Sequence, residues 1–149
     1  MERLEALRDQ TKTPYWATQV EVQRRAATAW IALAEKRSDE ALKLMRGAAD
    51  LEATTDKNPV TPGAIVPTRE LLGEMLLQTG DAAQALKEFE TSLRNEPNRF
   101  NGIWGAARAA ELAGDRTKAK AYYEKLVSLT AKADTERPEV REAKAFLAK

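Results

Sequence analysis

Residues 66–99 read VPTRELLGEMLLQTGDAAQALKEFETSLRNEPNR, and residues 100–133, which follow directly, read FNGIWGAARAAELAGDRTKAKAYYEKLVSLTAKA. The two stretches align end to end. Gly80 and Gly114, Asp81 and Asp115, Ala85 and Ala119, and Phe89 and Tyr123 are each 34 residues apart. These positions carry local structural meaning. Thr68 can cap a helix through Thr79, and Gly80 supplies the left-handed stop. Asp81 then caps a second helix that reaches Asn95 and ends at Pro97. The next stretch repeats the plan: a helix from Asn98 to Ala113, a stop at Gly114, and a restart capped by Asp115. Each stretch is therefore expected to fold as an antiparallel helical hairpin.

The same grammar extends towards the amino terminus. Thr13 can cap a helix from Pro14 to Arg37, with proline at a position that suits the first turn. Trp16, Val20, Gln23, Ala27, Trp30, Ile31 and Ala34 recur at three- and four-residue steps and predict its apolar face. Ser38 or Asp39 caps a second helix to Ala53 bearing Ala41, Leu42, Met45, Ala48 and Ala49. Ala41, Met45 and Ala48 match Ala85, Phe89 and Ser92 at an offset of 44, ten more than the period. The excess falls in residues 54–67, TTDKNPVTPGAIVP, whose three prolines and one glycine forbid a continuous helix. Outside the hairpins, residues 2–10 predict a short helix with Leu4 and Leu7. Asp134 or Thr135 starts a last helix to Ala148, with Val140, Ala143, Phe146 and Leu147 on one side.

A helical hairpin of 34 residues is the tetratricopeptide period. From Gln23 to Ala133 the chain resembles a tetratricopeptide repeat protein. Leu72-Gly73 stands at the family's Leu-Gly pair, Gly80-Asp81 at the inter-helix turn, and Ala85 and Phe89 at the small and aromatic positions of the second helix. Pro97 closes the unit. The following unit keeps Gly114, Asp115, Ala119 and Tyr123 but has Ala106-Ala107 for the pair and Ala131 for the closing proline. The resemblance implies an all-α fold, a right-handed stack of antiparallel helix pairs. Its expected parts are an amino-terminal helix with a degenerate first hairpin (1–53), the proline-rich loop (54–67), a second hairpin (68–97), a third (98–133) and a capping helix (134–149), together a single domain. Terminal caps with a polar back are what stacked repeats require.

Composition narrows the function. The chain of 149 residues has 24 Lys and Arg against 23 Asp and Glu, a net charge of +1. It lacks the basic excess that nucleic-acid or anionic-membrane binding draws on. With no cysteine and no histidine, disulfides, thiol chemistry and the commonest general base and metal ligand are absent. Ser38 reads as a cap and Ser92 as a small packing residue. Asp50, Glu52 and Asp56 cluster beside the loop without the spacing of a calcium loop. Gly102 and Gly105 sit inside a helix and read as close-packing positions, not as a phosphate loop. No catalytic residue, metal or cofactor is expected, although carboxylates and lysines keep catalysis open in principle. No secretory run opens the chain, so a cytoplasmic location is expected. Met1 followed at once by helical spacing fits a whole chain and a piece of a longer one equally.

The resemblance also implies a use. In this family the first helix of each pair lines a concave groove that takes extended or helical peptides. Carried over by register, that wall comprises Trp30 from the first hairpin, Glu70, Glu74 and Leu77 from the second, and Asn101, Trp104, Arg108 and Glu111 from the third. Tryptophan beside arginine suits a binding hot spot; the alternative is that Trp104 packs beneath the last helix or against the preceding hairpin. Glu70 and Glu74 oppose the acidic chaperone tails that some family members clamp, and suit a peptide with a basic and an apolar residue. The expected function is a non-catalytic module that binds a protein or peptide. The alternative is an architectural segment that caps a longer array or forms a homo-oligomer. Residues 54–67, with Val60, Ile65 and Val66, read either as a strap across the hairpins or as a docking segment.

Overall fold

The computed structural model describes residues 2–10, 14–55 and 66–149. Among them are eight helices and no strand: α1 (Glu2–Gln10), α2 (Pro14–Ala34), α3 (Ser38–Ala53), α4 (Thr68–Gln78), α5 (Ala82–Asn95), α6 (Phe100–Leu112), α7 (Arg116–Leu129) and α8 (Pro138–Leu147). The fold is all-α, as expected. It divides into two compact units, Met1–Leu72 and Gly73–Lys149, with the boundary inside α4.

Each hairpin turn is built the same way. After α4, the Asp81 N–H donates to the Leu76 carbonyl at 2.9 Å and the Gly80 N–H to the Leu77 carbonyl at 3.2 Å. After α6, Asp115 donates to Ala110 at 2.9 Å and Gly114 to Glu111 at 3.1 Å. This pair of bonds satisfies two orphan carbonyls and requires a left-handed residue, and Gly80 and Gly114 have φ of 89° and 81°. Asp81 and Asp115 then cap the next helix, accepting from the Gln84 N–H at 3.0 Å and the Lys118 N–H at 2.9 Å.

The first hairpin turns identically without glycine. Arg37 donates to Ala32 and Lys36 to Leu33, both at 2.9 Å, and Lys36 takes φ of 63°. Lys36 precedes Gly80 by 44 residues, the offset expected of the degenerate repeat. A lysine side chain strains this conformation, whereas glycine adopts it freely at some entropic cost. Lys36→Gly should therefore raise stability by about 1 kcal/mol, read as a rise of ~2–4 °C in melting temperature. An unchanged or lower melting temperature contradicts the shared turn.

Within residues 1–72, α1 packs on α2 and α2 on α3. The face of α2 that goes inward differs from expectation. Val22, Ala26, Ala29 and Ala32 are buried, whereas Trp16 and Ile31 are 45% and 46% exposed. Small side chains let α2 approach Ala41, Met45, Ala48 and Ala49 of α3, all buried, and close approach outweighs side-chain hydrophobicity in choosing the face. Glu21 binds both Arg24, at 2.7 Å, and Arg25, at 2.8 Å. Mainly through Arg24, its carboxyl is held down to about 2. Arg24 also reaches Glu5 of α1 at 3.6 Å.

Several starts and stops are corrected. Arg37, without a side-chain cap bond, precedes α3, so Ser38 is the first helical residue and not the cap. α2 stops at Ala34, ahead of Arg37, because Lys36 turns the chain. α6 begins at Phe100, after Arg99. α8 begins at Pro138, where the missing N–H costs nothing, rather than near Asp134. Thr68 is the first residue of α4, and Glu52 of α3 accepts from its N–H at 2.7 Å and from its hydroxyl at 3.0 Å. Arg69 reaches Asp50 at 3.2 Å. The ends of α3 and α4 are thus joined directly, and two members of the acidic cluster have protein partners. Thr13, Asp56, Val60 and Ile65 lie outside the described residues.

Within residues 73–149, Phe89 of α5 is 1% exposed. A Cβ on Gly73 of α4 would lie 2.7 Å from its ring, and one on Gly105 of α6 would lie 2.3 Å from it. Two glycines therefore let α4 and α6 close on one aromatic ring. α6 packs on α5 and α7, and α7 on α8. Glu90 of α5 accepts from Lys118 at 2.8 Å and from the Tyr122 hydroxyl at 3.2 Å, both on α7. Burial, reinforced by Glu90, pushes the Tyr122 hydroxyl up to about 12. The Ser92 hydroxyl is buried with no hydrogen-bond partner among the described residues, so Ser92 acts as a small packing residue.

Candidate functional site

α6 is buried on nearly every side. Gly102, Ile103, Gly105, Ala106, Ala107, Ala109 and Ala110 are all buried. This run of glycine and alanine is what admits α5 and α7 so closely. Asn101, Arg108, Glu111 and Leu112 alone in the helix are exposed, and Trp104 is half-buried. Asn101, Trp104, Arg108 and Glu111 recur at steps of three and four and share one stripe, as the sequence predicts.

The stripe is organised around rings. Arg108 lies over the Trp104 ring with its guanidinium carbon 5.7 Å from the ring centre. Trp104 meets Tyr123 of α7 at 5.9 Å, and Tyr123 meets Phe146 of α8 at 4.7 Å. Trp104 is thus half-buried, packed against Tyr123 on one side and open on the other. The Tyr123 hydroxyl donates to Glu111 at 2.6 Å. Burial first, and then the adjacent carboxylate, pushes that hydroxyl up. Tyr123 differs here from its counterpart Phe89, which has no hydroxyl to orient a surface carboxylate.

A cleft of about 330 Å3 opens beside this stripe, lined by Arg108, Glu111, Leu112, Tyr123, Glu142, Ala145, Phe146 and Lys149. Leu112, 60% exposed, is its most accessible large apolar side chain. Sequence reasoning missed Leu112 and the α8 wall. The signal for Leu112 was its position four residues after Arg108, on the same helical face. α8 is held by buried Val140 and Ala143 and by two arginine–ring contacts, Arg137 over Phe100 at 4.1 Å and Arg116 over Phe146 at 5.7 Å.

The remaining predicted residues are placed differently. On α4, Glu74 is exposed and Leu77 half-buried, and both belong to the same unit as α6. Trp30 is half-buried on α2, in the first unit. Glu70, expected on an exposed wall, is 1% exposed. It follows directly on the α3–α4 junction, where Pro67 and Thr68 are buried too, so it is part of the interior and unavailable to a ligand. Among the described residues no group of three acidic side chains is placed to hold a metal ion. No helix among them is long and apolar enough to cross a membrane.

Residues 104–132 match the tetratricopeptide repeat family. No curated protein matches the chain in sequence. Among solved structures it is similar to PcrH from Pseudomonas aeruginosa, at 16% identity and a TM-score of 0.64, covering 85% of this chain and 89% of that one. PcrH in complex with the chaperone binding region of PopB aligns at 17% identity and a TM-score of 0.65, covering 85% and 94%. A TPR-like protein from Chlorobium tepidum aligns at 17% identity and 0.62, covering 91% and 98%. At these identities the likeness concerns the fold. Residues 104–132 thus match a tetratricopeptide repeat, and the chain has an all-α fold like that of proteins built from such repeats.

Proposed function

We propose that the chain is a non-catalytic interaction module that holds a peptide or a segment of a partner protein against the exposed stripe of α6, with Glu74 and Leu77 of α4 alongside. The observation that carries this reading is the surface left on α6. A helix packed on both flanks by glycine and alanine retains one accessible stripe, and that stripe holds a half-buried tryptophan with an arginine across it. Aromatic and arginine side chains held rigid by packing lose little entropy on binding, which is why they dominate interface energetics. The use of the same fold in PcrH, whose structures include complexes with the chaperone binding regions of PopB and PopD, supports a polypeptide as the ligand.

The test is capture with the intact chain followed by titration of the captured segment. Trp104→Ala should weaken binding by at least about tenfold, the usual loss at an aromatic hot spot. Glu74→Lys should change affinity in a salt-dependent way. Helicity by circular dichroism should stay at the parent level in both. If both variants bind like the parent, this surface is not the binding surface. Self-association in sedimentation over a concentration series, with no partner captured, would favour the architectural alternative.

A further inference from the structure

The cleft between α6 and α8 has a chemistry of its own. Its floor is aromatic, with Tyr123 against Phe146 at 4.7 Å, and Leu112 and Ala145 add apolar surface beside it. At about 330 Å3 it falls at the small end of ligand pockets, which run from about 300 to 1,000 Å3. That admits an aliphatic side chain together with a neighbouring residue of the same segment.

The charges at its mouth are unequal in what they offer. Glu111 already accepts the Tyr123 hydroxyl at 2.6 Å, which turns that carboxylate inward. Arg108 makes no ion pair among the described residues, and its guanidinium is held over Trp104. A guanidinium oriented by a ring and lacking a carboxylate is prepared to accept one in two-point fashion. Lys149 and Glu142 also line the cleft, one residue of each charge, and Glu142 disfavours a run of acidic residues. An apolar side chain meets the aromatic floor, and one carboxylate beside it meets Arg108.

We infer that this cleft seats an aliphatic side chain of leucine size from the partner segment, and that Arg108 holds a single carboxylate beside it. The inference rests on the peptide-binding reading above and adds the chemistry of the bound segment. It also revises the expected preference for a basic residue, because Glu70, half of the acidic wall behind that preference, is buried.

The test uses fluorescein-labelled decapeptides of glycine and serine that differ only in a central pair: Leu-Asp, Leu-Lys or Ser-Asp. Fluorescence anisotropy with the intact chain should rank Leu-Asp first, with each of the others at least about tenfold weaker, as expected for losing a charged hydrogen-bonded pair or a buried aliphatic group. Arg108→Gln should abolish the preference of Asp over Lys. Leu112→Ser should weaken both leucine peptides alike. Both substitutions are at exposed positions, so folding is retained, and Lys87→Gln on α5 serves as the unaffected control. Absence of Leu-Asp binding at millimolar concentration, equal binding of Leu-Lys, or an unchanged preference in Arg108→Gln overturns the inference. Should it fail while Trp104→Ala still weakens the captured partner, the cleft chemistry alone is wrong. If Trp104→Ala also binds like the parent, the interaction surface itself is wrong.

Discussion

Phe89→Ala should lower stability by about 3–5 kcal/mol, the range for deleting a buried phenyl side chain. The cost of such a deletion depends on how far the surroundings can collapse into the space left behind. Here they have little to move. The ring is 1% exposed, and Gly73 on α4 and Gly105 on α6 both stand against it. Neither glycine has a side chain to swing inward, so the void persists unless whole helices shift. Urea denaturation should show a fall in midpoint with an unchanged slope, the sign of lost stability in an unaltered fold. A loss below about 1 kcal/mol, smaller than burial of a single large apolar side chain contributes, would mean that the ring does not join the two helices.

Gly105→Ala should also destabilise, against the intrinsic preference of helices for alanine. Alanine favours an exposed helix interior by about 1 kcal/mol relative to glycine. Its methyl would stand 2.3 Å from the Phe89 ring, a distance that requires something to shift. The ring cannot retreat freely, because Gly73 already lies against it. Overpacking of this kind costs about 1–3 kcal/mol, and a clash this deep places the substitution near the upper end, so a net loss of roughly 1–2 kcal/mol is expected after the helical gain. Phe89→Leu should cost less in the Gly105→Ala background than in the parent, because the smaller side chain makes room for the methyl. Strictly additive effects in this cycle would show that the two residues do not touch.

Much of the fold was written locally. Gly80, Gly114, Asp81 and Asp115 announce two turns through residue types that few other conformations favour. Lys36 makes the same turn with the same bonds, yet a lysine gives no local sign of positive φ; only its offset from Gly80 could have pointed to it. The inward face of α2 was misjudged for a different reason. Trp16 and Ile31 dominate a hydrophobic pattern, but Ala26, Ala29 and Ala32 permit the closer helix approach and so face α3. The bond from Thr68 to Glu52 spans 16 residues and depends on how the ends of α3 and α4 meet, which no local pattern expresses.

The geometry of the candidate site was legible to a similar degree. The spacing of Asn101, Trp104, Arg108 and Glu111 follows from helical geometry, and the structure leaves that stripe accessible. Glu70 shares the spacing but not the exposure. Helical period places a residue on a face without revealing what packs over it. The α8 wall of the cleft was hidden because Phe146 reads simply as a core residue of a capping helix. Its contact with Tyr123, and the position of Leu112 beside both, exist only once three helices have packed.

The central claim is that a polypeptide is held on the exposed side of α6. Its most direct test is an amide chemical-shift map of the isotopically labelled chain with and without the captured partner segment. The account predicts that the largest shifts fall within residues 101–112, with further shifts in residues 142–149 and at the Trp104 indole N–H. Shifts confined to residues 2–55, or a spectrum unchanged at saturating partner, would contradict it.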